Sequence, residues 1–196
     1  MHFLRHTLSG PDRPQERSVS QRIRLYGIGS PFHDDQAGLR LVESMVRDGF
    51  SPGIEGVIFD TKPLDRPGWS LLEHLRGTDP VILVDAMVSG ASPGTILRID
   101  PRQNPPIDPQ KLSSHSIGVL PVLALGRSLG LLPPCLLLYG VEIAPFSPSE
   151  SLLPRRNPDE AVSMALRKAI LEDLPFLLSS GSSGHGSSGK QEAAPR

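Results

Sequence analysis

Gly27-Ile28-Gly29-Ser30-Pro31-Phe32-His33-Asp34-Asp35-Gln36-Ala37-Gly38 decides the fold class of this chain. It follows an apolar run over residues 23–26 and precedes an amphipathic run over residues 39–46. That order predicts a strand, a tight loop and then a helix. Glycines in the loop let the backbone turn sharply and come close to a partner. The loop also carries two adjacent acids, Asp34 and Asp35, at the carboxyl end of the first strand. Ligands of open α/β sheets bind at that edge. Paired acids there suit a cation better than a phosphate.

Working outward, short β-rich runs alternate with helical patterns. Residues 22–28 predict the first strand, and Leu41, Val42, Met45 and Val46 form one face of a first helix that ends near Gly49. A second strand is expected over residues 56–60 and a short helix over 69–75. Val81-Ile82-Leu83-Val84-Asp85 places four aliphatics in a row, as a central strand covered on both faces requires. Residues 95–99 read as a further strand at an edge, 117–129 as partly helical, and 135–142 as strand. A last helix is expected over 159–174, with Val162, Ala165, Leu166, Ala169 and Ile170 on one face. Asn157 or Pro158 opens it and Pro175 closes it. The alternation predicts a three-layer α/β/α domain with a mostly parallel twisted sheet of about five strands.

The 196 residues suffice for one domain with a real core, here expected over residues 21–176. Residues 1–20 read as a flexible polar leader and 177–196 as a disordered Ser/Gly-rich tail, where His185 is a solvated linker residue. Aromatics make up only 5%, so the core must be aliphatic. A net charge of -1 offers no field for nucleic acid or an acidic membrane surface. The single cysteine, Cys135, excludes an internal disulfide and a multi-cysteine zinc site, and its apolar surroundings make it a buried structural thiol. No apolar stretch reaches the length of a membrane span, and the charged amino terminus lacks a signal-type apolar segment. The expected compartment is the cytoplasm.

Several motifs fail on physical grounds. Gly27-Ile28-Gly29 lacks the third glycine of a dinucleotide fingerprint, since Phe32 stands there, and an acidic loop repels pyrophosphate. Gly90-Ala91-Ser92-Pro93-Gly94 matches the Gly-x-Ser-x-Gly nucleophile pattern. However, Pro93 has no N–H to give an oxyanion, and a strand follows where an elbow needs a helix. A serine hydrolase acting through Ser92 is therefore disfavoured against a plain turn. No His-Glu-x-x-His pair exists, and Glu73-His74 reads as a solvated pair.

Asp85 and His115 carry more. Asp85 ends a run of aliphatics, where an unpaired carboxylate is costly to bury. Taken alone, a functional acid at the carboxyl edge and a helix-capping or turn-forming residue are equally good readings of it. His115 precedes a helical pattern and alone reads as a surface or capping histidine. Together with Asp35, each lies at the end of a predicted element, and all can converge on one sheet edge. Two carboxylates and an imidazole suit zinc, nickel or a similar divalent ion, and three protein ligands leave positions open for a partner. His33 is an outer-shell or substitute ligand, and Asp34 faces away or supports the loop.

With these segments in hand, the chain resembles the maturation endopeptidases of nickel–iron hydrogenases. Gly27-Ile28-Gly29-Ser30 and Asp34-Asp35-Gln36-Ala37-Gly38 stand where that family has Gly-x-Gly-Asn, a short stretch, then Asp-Asp/Glu and a glycine. Val84-Asp85-Ala86 matches its strand-end Asp-Ala, Pro93-Gly94-Thr95 its Pro-Gly-Thr, and Ser113-Ser114-His115-Ser116-Ile117-Gly118 its Ser-x-His-x-x-Gly. Tyr139-Gly140-Val141-Glu142 looks like its last core strand. The resemblance covers residues 22–174, and Asp65-Arg66-Pro67-Gly68 looks closer to the branch serving NAD-linked, bidirectional hydrogenases. Ser30 replaces the usual asparagine and Gln36 a frequent glycine. Leu120-Pro121 implies that the helix after His115 starts late or bends.

The resemblance implies an endopeptidase that removes the C-terminal extension of a nickel–iron hydrogenase large-subunit precursor after nickel insertion. Asp35, Asp85 and His115 would contact the nickel. Asp35 and Asp85 would be catalytic, with Gly27, Gly29, Ser30 and Asp34 in support. The nickel is presented by the substrate, so no tightly bound resident cofactor is expected. The precursor is the partner, with no nucleic acid or membrane. A water activated by a carboxylate is the expected attacking group. The competing reading is a non-catalytic metallochaperone or checkpoint module that binds the nickel-loaded precursor.

Overall fold

Val81, Ile82, Leu83 and Val84 lie beside Leu136, Leu137, Leu138 and Tyr139 at the centre of a sheet, and none of these side chains is more than 1% exposed. Such unbroken aliphatic runs are stable as strands only when helices cover both faces. The computed structural model describes residues 20–30, 36–103, 118–144 and 160–179. The expected leader and most of the expected tail, with His185, lie outside the described residues.

Five strands form the sheet: β1 (Gln21–Gly29), β2 (Val57–Asp65), β3 (Val81–Met87), β4 (Ile96–Ile99) and β5 (Leu136–Glu142). Their order is β2-β1-β3-β5-β4. All pair in parallel except β4, which closes one edge antiparallel to β5. The helices are α1 (Ala37–Arg47), α2 (Leu71–His74), α3 (Val119–Ser128), α4 (Glu160–Glu172) and α5 (Leu174–Ser179). One core layer places Ile23, Leu25 and Leu137 with Leu41, Val42 and Met45 of α1 and Leu166 and Ile170 of α4. The opposite layer places Leu83 and Leu138 with Leu71 of α2 and Val122 and Leu123 of α3. This is the expected three-layer α/β/α domain. Cys135 is a buried thiol, as its apolar setting predicts. Among the described residues, no helix is long and apolar enough to cross a membrane.

The structure departs from the sequence reading in five places. Strand β2 runs on to Asp65, five residues past the expected end, through Pro63. Gln21 N–H donates to Gly56 O and Arg66 N–H to Gly29 O, so the even-numbered residues of β2 face β1. Pro63, with no N–H, therefore faces the open edge, where no ladder bond is lost. Val46 is 54% exposed, because it falls on the flank of the α1 stripe in its last turn. The helix expected over 69–75 is a 3₁₀ turn, Gly68–Ser70, followed by the short α2. Pro175 opens a helix rather than closing one: it sits in the first turn of α5, where an N–H would have no helical partner. Leu177 is fully buried, so the packed chain reaches residues 177–179, inside the stretch assigned to the tail.

Two polar clusters fasten this frame. Tyr139 O–H donates to Asp173 Oδ2 at 2.5 Å, and Arg98 Nε donates to the same oxygen at 2.6 Å, tying α4 to the antiparallel edge. Burial, then the Asp173 contact, raises the Tyr139 phenol above its ordinary range. At the amino edge, Arg24 is only 8% exposed. Its Nη1 donates to His74 O and Arg76 O, both at 2.8 Å, and its Nη2 to Asp79 O at 3.1 Å. These are carbonyls at and just after the end of the short α2, which has too few turns to hold itself. Replacing Arg24 by alanine is expected to lower unfolding stability by about 3 kcal/mol, because buried carbonyls lose a charged donor. Lysine should recover only part, since one ammonium cannot span three carbonyls. A denaturant melt measures both; an unchanged midpoint in Arg24→Ala would show that the cluster contributes nothing.

Candidate active site

The chain runs from β1 outward to β2, then crosses back to β3 on the other side of β1. The carboxyl ends of β1 and β3 therefore flank the switch point of the sheet, where open α/β folds bind ligands. Gly27 pairs with Val84, which sets the end of β1 beside Asp85. Ser30 follows at 2% exposure.

Helix α1 lands on this point because two glycines admit it. A Cβ on Gly27 would lie 2.5 Å from Gly38 O and 2.6 Å from Val42 Cβ. A Cβ on Gly38 would lie 2.3 Å from Val84 O, 2.5 Å from Ile28 O and 2.9 Å from Asp85 Cα. Gly27 lies inside β1, so of the two uses expected of the loop glycines, a sharp turn and a close approach, it serves the close approach. The amino end of α1, with the positive end of its dipole, is thereby held against the strand end that carries Asp85. Asp85 is half-buried, and its Oδ1 accepts the Ala86 N–H at 3.0 Å.

Of the residues singled out in the sequence, Gly27, Gly29, Ser30 and Asp85 meet at the switch point. His33, Asp34, Asp35 and His115 lie outside the described residues. Asp35 directly precedes Gln36, the buried N-cap of α1. His115 lies three residues before Gly118, the N-cap of α3. Arg127, near the other end of α3, donates to Gln103 O, just beyond β4 at the amino edge. Helix α3, about 15 Å long, thus points its N-terminus back toward the carboxyl edge. Pro121 is the third residue of α3, where no helical N–H is needed, so the helix starts late and does not bend. Among the described residues, no group of three His, Cys, Asp or Glu side chains could hold a metal.

The Ser92 segment is a turn. Thr95 N–H donates to Ser92 O at 3.0 Å, and the chain continues into strand β4 with no helix behind the serine. Sequence reasoning passed over Glu142, counting it only as the end of a core strand. It is a buried carboxylate at the same sheet edge, 2% exposed. An acid closing the run Leu136–Glu142 was the signal. Arg66, in the Asp65–Gly68 segment, has a φ of 40°, unusual for a side-chain-bearing residue, and its N–H donates to Gly29 O at 2.9 Å.

A family model described as HycI, hydrogenase maturation protease, matches residues 67–174, more than half of the chain. The chain belongs to the hydrogenase maturation protease family. It is 29% identical over 161 residues to the hydrogenase 2 maturation protease of Escherichia coli K12, covering 79% of this chain and 96% of that one. It is 32% identical over 123 residues to the hydrogenase expression/formation protein HupD of Thiocapsa roseopersicina, covering 61% of this chain and about half, 53%, of the relative. The solution structure of an endopeptidase from Escherichia coli superposes with a TM-score of 0.50 at 27% identity, over 83% of this chain and 94% of that one. This maturation protease is a hydrolase of peptide bonds, and a non-catalytic chaperone is not the favoured reading.

Proposed function

We propose that this protease removes the C-terminal extension of a nickel–iron hydrogenase large-subunit precursor once nickel is in place. The observation that carries the reading is Asp85 at the β1/β3 switch point, with the α1 amino end packed against it. Asp35, Asp85 and His115 contact the nickel, which arrives as part of the substrate; no resident cofactor takes part. The chain's single cysteine is buried, so thiolates for the metal come from the precursor while this protein adds oxygen and nitrogen donors.

Hydrolysis forms a C–O bond at the scissile carbonyl carbon and breaks the C–N bond. Asp85 or Asp35 takes a proton from the attacking water and returns one to the leaving amine. The substrate's nickel orients the chain or polarises the carbonyl. Two carboxylates sharing this work make the enzyme aspartyl-type. The Asp65–Gly68 segment, at the end of β2, favours a precursor from the NAD-linked, bidirectional branch.

The protein is expected to trim the nickel-loaded precursor and leave the nickel-free precursor intact, read by mass spectrometry of the precursor C-terminus. Equal cleavage of both, or full activity of His115→Ala, overturns the metal contact. A loaded precursor that stays bound but untrimmed points instead to a checkpoint module.

A further inference from the structure

We propose that Glu142 is a positioning residue for the cleavage reaction: its buried carboxylate fixes the Ser89–Gly90 turn that follows β3 and so holds Asp85 at the sheet edge. This rests on the role given to Asp85 above.

The carboxylate is enclosed by donors from one short segment. Ser89 N–H donates to both of its oxygens, at 2.8 and 3.0 Å. Ser89 Oγ donates at 2.7 Å and Gly90 N–H at 2.9 Å. Gly90 has φ of 93°, a conformation that helps successive N–H groups aim at one anion. The backbone of Glu142 holds the other arm of the same loop: Glu142 N–H donates to Thr95 O, and Gly94 N–H donates to Glu142 O, both at 2.8 Å. One residue therefore clamps both ends of the connection between β3 and β4.

Asp85 sits just inside this clamp. It pairs with Gly140, and two residues on Met87 pairs with Glu142. Ile143 N–H donates to Met87 O at 2.9 Å. The Met87 side chain fills the space over Gly140, where a Cβ would come within 2.0 Å of Met87 Cε. The peptide from Asp85 to Gly90 is thus pinned along β5 and stopped at its end by the carboxylate. A buried charge costs far more than an ordinary turn needs, unless every lone pair is used. Here the donors belong to the segment that carries the proposed catalytic acid, and small displacements of such a group cost rate steeply.

Glu142→Ala removes the clamp, and turnover of the nickel-loaded precursor is expected to fall at least about tenfold, with KM little changed. Glu142→Gln should recover most of the loss. Its Oε1 can still accept from Ser89 and Gly90 N–H while its Nε2 donates to a rotated Ser89 hydroxyl. Should Glu142→Ala fail to fold, Glu142→Asp decides, because it keeps the charge but withdraws it from the turn. A folded Glu142→Ala or Glu142→Asp that turns over at the parent rate overturns the inference alone. A parent enzyme that leaves the precursor intact overturns the functional reading, and the inference with it.

Discussion

Asp85→Asn is expected to reduce cleavage of the nickel-loaded precursor by about 10³-fold while leaving the thermal midpoint nearly unchanged. Asparagine keeps the shape and still offers an oxygen to the Ala86 N–H, which Asp85 Oδ1 now accepts at 3.0 Å. What it loses is the charge proposed to meet the substrate's nickel and to take the proton. Asp85→Glu keeps the charge but moves it by about 1.5 Å, and a misplacement of that size costs about 10²-fold. Single-turnover assays with mass-spectrometric detection measure both variants. An Asp85→Asn enzyme within tenfold of the parent, about 1.4 kcal/mol of barrier, would remove Asp85 from the reaction.

Gly38→Ala is expected to be the most damaging small substitution for the fold. The added methyl would meet Val84 O at 2.3 Å, Ile28 O at 2.5 Å and Asp85 Cα at 2.9 Å. All three are backbone atoms of strands held on both sides, so none can swing aside. Helix α1 would have to lift from the sheet and uncover Leu41, Val42 and Met45. Overpacking of this kind costs on the order of 3 kcal/mol, roughly 10 °C in the midpoint for a domain of this size. Gly27→Ala acts on the same contact, so the double variant should fall short of the sum of the two. A melt of Gly38→Ala at the parent temperature would show that α1 does not rest on the sheet in this way.

The sequence was readable where a feature depends on near neighbours. The aliphatic run at residues 81–84 announced a central strand, and β3 is buried there throughout. Residues 95–99 read as an edge strand, and β4 is one. The reading failed where tertiary position reverses a local rule. The second strand was expected to end at residue 60, but β2 continues through Pro63 because it lies at an edge, where proline costs no ladder bond. Pro175 looked like a helix end, but it occupies the first turn of α5, which burial of Leu174 and Leu177 stabilises. Glu142 went unweighed because its partners, Ser89 and Gly90, lie 53 and 52 residues away.

By itself, the order of residues determined the layer architecture, the aliphatic core and the placing of Asp85 near the end of a buried central strand. Each follows from periodicity or composition over a few residues. Strand order belongs to the tertiary structure alone, because hydrophobic alternation states which residues are buried and not which strands are neighbours. That order, β2-β1-β3, opens the sheet beside Gly29 and Asp85, brings Gly38 onto both strands and closes Glu142 over the turn behind them.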